Sequence, residues 1–147
     1  MKRFKFSMQK ILEYKEDIQN NEANILKEMK MSLQTLMDEL QCLVSKYEHY
    51  KGIHVTKCKE GLSIKEIVVD KSYLSSLQNK IRIKGVEIRK VELNIETQIA
   101  KLTKIKTEKA SIERLKEKEL EAYKFMEQKE NEVFISEFVS NAAVKQQ

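Results

Sequence analysis

The chain has 147 residues, 35% of them charged and 41% hydrophobic, with no proline or tryptophan and only three glycines. A composition rich in Lys, Glu, Leu, Ile and Gln belongs to long helices and coiled coils, which bury a narrow seam and leave little room for an enclosed active site. The net charge of +5 is uneven: 13 basic groups face 11 acidic ones up to residue 79, 12 face 6 over 80–118, and 3 face 6 thereafter. A basic middle and an acidic end suit docking onto charged partner surfaces.

In chain order, Ser7 is placed to cap a first helix, with Phe6 and Ile11 at the positions of a hydrophobic staple. Apolar residues then recur at Phe4, Met8, Ile11, Ile18, Ile25 and Met29, the alternating steps of a heptad seam, with Lys15 and Glu22 as charged gaps. They continue through Leu33, Leu36, Leu40, Leu43, Tyr47 and Tyr50. In the Met29–Leu33–Leu36 passage a step of four stands where a three is due, which predicts a stutter that unwinds the supercoil locally. The helix is predicted to stop at Lys51, with Gly52 as its left-handed C-terminal residue. Lys51–Ser63 holds two of the three glycines and is where the chain reverses.

Ser63 and Glu66 fit a capping box, with Leu62 and Ile67 as its staple. This predicts a short helix near 64–69 that bends or runs directly into a long one. The long helix carries Leu74, Leu77, Ile81, Ile88, Val91, Ile95, Ile99 and Leu102, with Gly85 in its interior. Beyond Ile105 the seam thins to Ile112, Leu115, Leu120, Tyr123 and Met126, then thickens at Val133, Phe134, Ile135, Phe138 and Val139. The resulting fold is all-α, a single elongated antiparallel coiled-coil hairpin. Its first arm is about 7–51, the turn 52–63, the second arm about 64–139, and 140–147 a frayed tail. Residue 4 is expected opposite about residue 118, leaving roughly 25 residues of the second helix beyond the first terminus. Those residues carry Phe125, Met126, Phe134 and Phe138, whose apolar faces need a partner to cover them.

Motifs for chemistry are scarce. There is no phosphate-binding glycine loop, no dinucleotide fingerprint, no metalloprotease motif and no paired CxxC. His49, His54 and Cys58 cluster near the turn, but their spacing matches no standard zinc site and a fourth ligand is missing. A thiol–imidazole nucleophile needs a third group to orient the base and a pocket to exclude water, and a two-helix hairpin predicts neither. Neither enzyme activity, nor a cofactor, nor a metal is therefore expected. The twelve basic residues between Lys80 and Lys118 are interleaved with Glu87, Glu92, Glu96, Glu108, Glu113 and Glu117, with no aromatic for base stacking, which argues against nucleic acid. No signal-length apolar run follows MKRFKFSMQK and no stretch reaches membrane-spanning length, so the reading is a soluble cytoplasmic protein with reduced thiols at Cys42 and Cys58.

The opening residues are more distinctive than the periodicity. Phe4, Phe6, Met8, Ile11, Leu12 and Tyr14-Lys15 resemble the start of the flagellar export protein FliJ family, with Met8 standing where leucine is more usual. Length, basicity, a coiled coil broken once and the Tyr73-Leu74-x-x-Leu77 start of the second arm agree with that resemblance. It implies a stalk-like coiled coil of the type III export apparatus, lying in the cytoplasm against the inner membrane at the flagellar base. The implied partners are the hexameric export ATPase, the cytoplasmic domain of the membrane export gate, and export chaperones, with no direct insertion into the membrane. Gate binding would fall on Val44, Tyr47, Tyr50, Tyr73 and Leu77. The family pattern has its next first-arm aromatic four residues after Tyr47, where Lys51 stands here and Tyr50 comes one residue early. Insertion into the ATPase ring would involve Phe4, Phe6, Phe125, Phe134 and Phe138. The alternatives are a stalk from a virulence type III secretion system and a generic coiled-coil adaptor.

Overall fold

The computed structural model describes residues 2–146 and consists of two helices, α1 (Gln9–Glu60) and α2 (Ile64–Lys145), packed against each other as an all-α hairpin. The described residues fall into two compact units. One combines the chain up to Asn21 with the chain from Leu102 onward, and the other runs from Glu22 to Lys101.

The turn is much shorter than the glycine pattern predicts. α1 passes straight through Gly52 and ends at Glu60, so the break shrinks from 52–63 to Gly61, Leu62 and Ser63. Gly61, with φ of 98°, is the residue in left-handed conformation. Both glycines satisfy the same sequence rule for a helix end, but the flanking residues decide between them. Directly after Gly61 comes the capping box, in which the Ser63 amide donates to Glu66 Oε2 and the Glu66 amide to Ser63 Oγ, each at 3.3 Å. That reciprocal pair satisfies two of the free donors at the start of α2 and leaves no residues for a wider loop. The predicted short helix near 64–69 is not a separate element. α2 is continuous from Ile64 and also runs through most of the tail expected to fray.

In the unit from Glu22 to Lys101 the buried residues are Leu77, Ile88, Ile95 and Gln98 on α2. Half-buried Leu26, Met29, Leu33, Leu36, Leu40 and Leu43 pack from α1. These steps alternate four and three without interruption, so the predicted stutter is absent. It came from assigning Ile25 to the seam; Leu26 occupies the seam and Ile25 is exposed. The same one-residue error applies to Ile99, which is 44% exposed beside seam residue Gln98; Tyr50, also expected in the seam, is exposed, while Tyr47 is half-buried. Cross-helix pairs Glu22–Lys101 (3.0 Å), Glu39–Lys84 (2.7 Å) and Tyr47–Gln78 (2.9 Å) show the antiparallel register. Each pair is nearly symmetric in number about Leu62.

The other unit is built the same way. Phe6, Leu12, Leu102 and Ile105 are buried, while Ile11, the predicted seam and staple residue, is exposed. α1 starts at Gln9, and the Met8 carbonyl accepts the first helical bond from the Leu12 amide at 3.0 Å, so Met8 rather than Ser7 occupies the cap. Lys15–Glu108 (2.6 Å) and Lys116–Gln9 (2.8 Å) tie the helices together. The segment before α1 is held on α2 by Tyr123, whose hydroxyl donates to the Lys2 carbonyl at 2.9 Å and whose ring lies 5.5 Å from that of Phe4. Phe4 therefore faces Tyr123, five positions beyond the expected partner, because it precedes α1 in a non-helical segment that covers more length per residue than a helix.

No described side chain is wholly buried, as a two-helix seam dictates. Three charged groups in it are tuned by their partners. The hydrogen bond from Gln98, then Lys101, holds the Glu22 carboxyl below the ordinary range, and Lys15 does the same for Glu108. Glu39 and Glu87 hold Lys84 above its ordinary value. Gln98 also donates to the Glu22 backbone carbonyl at 3.1 Å. Gln19 Oε1 is buried without a hydrogen-bond partner.

Candidate docking surfaces

The first candidate surface lies beside the turn, within the unit from Glu22 to Lys101. Because α1 continues to Glu60, its last turns face the first turns of α2 and form a cleft of about 230 Å³. Tyr50, Ile53, His54, Val69, Tyr73 and Leu74 line it. The rings of Tyr50 and Tyr73 meet edge to face at 4.7 Å, and His49 packs on Tyr50 at 5.9 Å. Edge-to-face contact of this kind holds rings rigid at low entropic cost, which suits a contact surface. Near the turn Val55, Ile64, Val68 and Val69 are also exposed.

The five residues expected from the resemblance to bind the gate separate by exposure. Tyr73, Tyr50 and Val44 are exposed. Leu77, at 3% exposure, is the most buried residue of the core and has almost no surface to offer a partner. Tyr47 lies between these extremes, half-buried, its hydroxyl accepting from Gln78 and the Lys51 ammonium 5.9 Å from its ring. Lys51 thus lies over the Tyr47 ring.

The second candidate surface belongs to the other unit. Tyr123 is the last residue of α2 with a half-buried side chain, and every residue from Lys124 to Gln146 is exposed. Phe125, Phe134 and Phe138 are 57%, 68% and 68% exposed, with Val133, Ile135 and Val139 alongside. These residues point around the helix rather than along one stripe, a pattern that normally marks a helix enclosed on several sides. The Lys129 ammonium sits 4.6 Å from the Phe125 ring. Of the other two phenylalanines grouped with them, Phe6 is buried and Phe4 is turned against Tyr123, so both serve first to anchor the N-terminal segment.

Among the basic residues of 80–118, Lys84, Lys101, Lys109 and Lys116 are engaged by Glu39, Glu22, Glu16 and Gln9 within the hairpin. The three groups near the turn do not converge as metal ligands. His49 packs on Tyr50, whereas His54 lies between Cys58 and Asp70, and no described set of three or more His, Cys, Asp or Glu residues is arranged to hold a metal ion. Among the described residues no helix is long and apolar enough to cross a membrane.

Together these features define the class: a two-helix coiled-coil hairpin with an aromatic cleft by its turn and an uncovered apolar helix end. No family model, curated protein or solved structure matches the chain.

Proposed function

We propose that this chain is a stalk-like docking component of the flagellar type III export apparatus. In this reading the C-terminal stretch of α2 enters the ring of the export ATPase, and the cleft by the turn contacts the cytoplasmic domain of the export gate. Export chaperones would be cycled by the same assembly on the cytoplasmic side of the inner membrane. The observation that carries the reading is the exposed stretch from Lys124 to Lys145, apolar on several sides at Phe125, Phe134 and Phe138. A helix of this kind is stable in water only marginally and gains most from an enclosing partner such as a ring lumen. The resemblance of the opening residues Phe4 to Lys15 supports the same assignment.

The test is co-purification with the export ATPase and measurement of its hydrolysis rate. The full chain is expected to bind and stimulate the ATPase, and a chain truncated after Lys124 to do neither. Stimulation that survives the truncation would refute the ring assignment. Tyr73→Ala is expected to weaken binding to the gate domain with helicity unchanged, and undiminished gate binding would remove the cleft from the proposal.

A further inference from the structure

Three groups at the edge of the cleft form a chain across the two helices beside the turn. Cys58 and His54 are one helical turn apart on α1, with Cys58 Sγ 3.5 Å from His54 Nε2. The opposite ring nitrogen, Nδ1, lies 3.1 Å from Oδ2 of Asp70 on α2. A carboxylate on Nδ1 holds that nitrogen's proton, which leaves Nε2 bare and able to accept the thiol proton. Nucleophile, base and orienting group are thus all present, and the third of them comes from the other helix. The base is sheltered, with a side-chain exposure of 13%, while the sulfur is exposed.

We propose that Cys58 is a nucleophilic thiol that exchanges with low-molecular-weight disulfides, with His54 as its base and Asp70 as the group that orients the base. His54 Nε2 takes the thiol proton as Sγ attacks one sulfur of the incoming disulfide. A new S–S bond forms to Cys58, the S–S bond of the reagent breaks, and the departing sulfur takes the proton back from Nε2. Cys58 is oxidised to a mixed disulfide and half of the reagent is reduced to a thiol, so no further oxidant is required. Lys57, which lines the cleft next to His54, supplies a cation for the carboxylates of a disulfide such as oxidised glutathione. Position on the helix makes the imidazole necessary. Cys58 is in the last turns of α1, where the free carbonyls disfavour an anion and favour a cation.

The molecule contains its own control. Cys42 is also exposed on α1, but no imidazole is bonded to it. The full chain is treated with dithiobisnitrobenzoate and, separately, with oxidised glutathione, and modification of each cysteine is followed by peptide mass spectrometry. Cys58 is expected to react roughly tenfold faster than Cys42. His54→Gln should bring Cys58 to the rate of Cys42, and Asp70→Asn should remove part of the advantage, with Cys42 unchanged in both. Equal rates for the two cysteines in the unaltered chain would overturn the proposal, as would a Cys58 rate indifferent to His54→Gln. Should His54→Gln loosen the fold, seen as a faster Cys42, Asp70→Asn decides: a slower Cys58 with steady Cys42 supports the relay, and no change refutes it. The relay and the docking reading are independent, since reactivity is measured without any partner.

Discussion

Gly52 and Gly61 both satisfy the sequence rule for a helix end and do opposite things. Gly52 lies within α1 with nothing within 4 Å of where a Cβ would stand, and Gly85 is equally open within α2. Alanine at either site is expected to stabilise the chain by about 0.5 to 1 kcal/mol through helix propensity. Gly61→Ala is expected to destabilise it by about 1 kcal/mol, because its φ of 98° is costly for any residue with a Cβ. Urea unfolding followed by circular dichroism separates these signs. A gain in stability from Gly61→Ala would place the reversal elsewhere. The capping box, by contrast, was legible in full, since Ser63 and Glu66 are three residues apart and their pairing depends on nothing beyond that spacing.

Within each helix the seam carries charged residues where a two-helix hairpin has no surplus of apolar surface. The Glu22 and Glu108 carboxyls are held below the ordinary value of 4.5 by Gln98 with Lys101, and by Lys15. A carboxyl lowered in the folded state contributes stability that is present above its unfolded value and is lost as pH falls through its folded value. The thermal midpoint should therefore hold from pH 7 down to about 5 and decline between about 5 and 3. Glu22→Gln with Glu108→Gln should flatten part of that decline, and an unchanged slope in the double variant would show that these pairs do not set it. Lys84, raised above 10.5 by Glu39 and Glu87, works in the opposite direction, its contribution full below 10.5 and lost only at more alkaline pH. Seam membership was legible for Leu33, Leu36, Leu40, Ile88 and Ile95. It was missed by one residue at Leu12, Leu26 and Gln98. At each of these an apolar neighbour, Ile11, Ile25 or Ile99, fits the local spacing, and only the phase of the whole helix excludes it.

For the molecule as a whole, the uncovered end of α2 makes a prediction separate from any partner. Residues beyond Lys124 bury no side chain in the described chain. Removing them should leave the urea midpoint within about 0.5 kcal/mol of the full chain while lowering total helical signal, since exposed segments add little to folding stability. A large fall in the midpoint would mean that this stretch is covered in solution, by a second copy of the chain for instance. Analytical ultracentrifugation of the full and shortened chains would reveal such a copy.

By itself the sequence determined the helical class, the single reversal and the surplus length of the second helix. These follow from composition, periodicity and the absence of proline, all of which act locally. Only the tertiary structure decided which glycine turns the chain, which of two neighbouring apolar residues enters the seam, and how the first helix pairs with the second. A helix tolerates a glycine, and a heptad tolerates a shift by one residue, until the facing helix selects a single register. That selection also brought Asp70 to His54, a contact between residues 16 apart that the spacing along either helix does not encode.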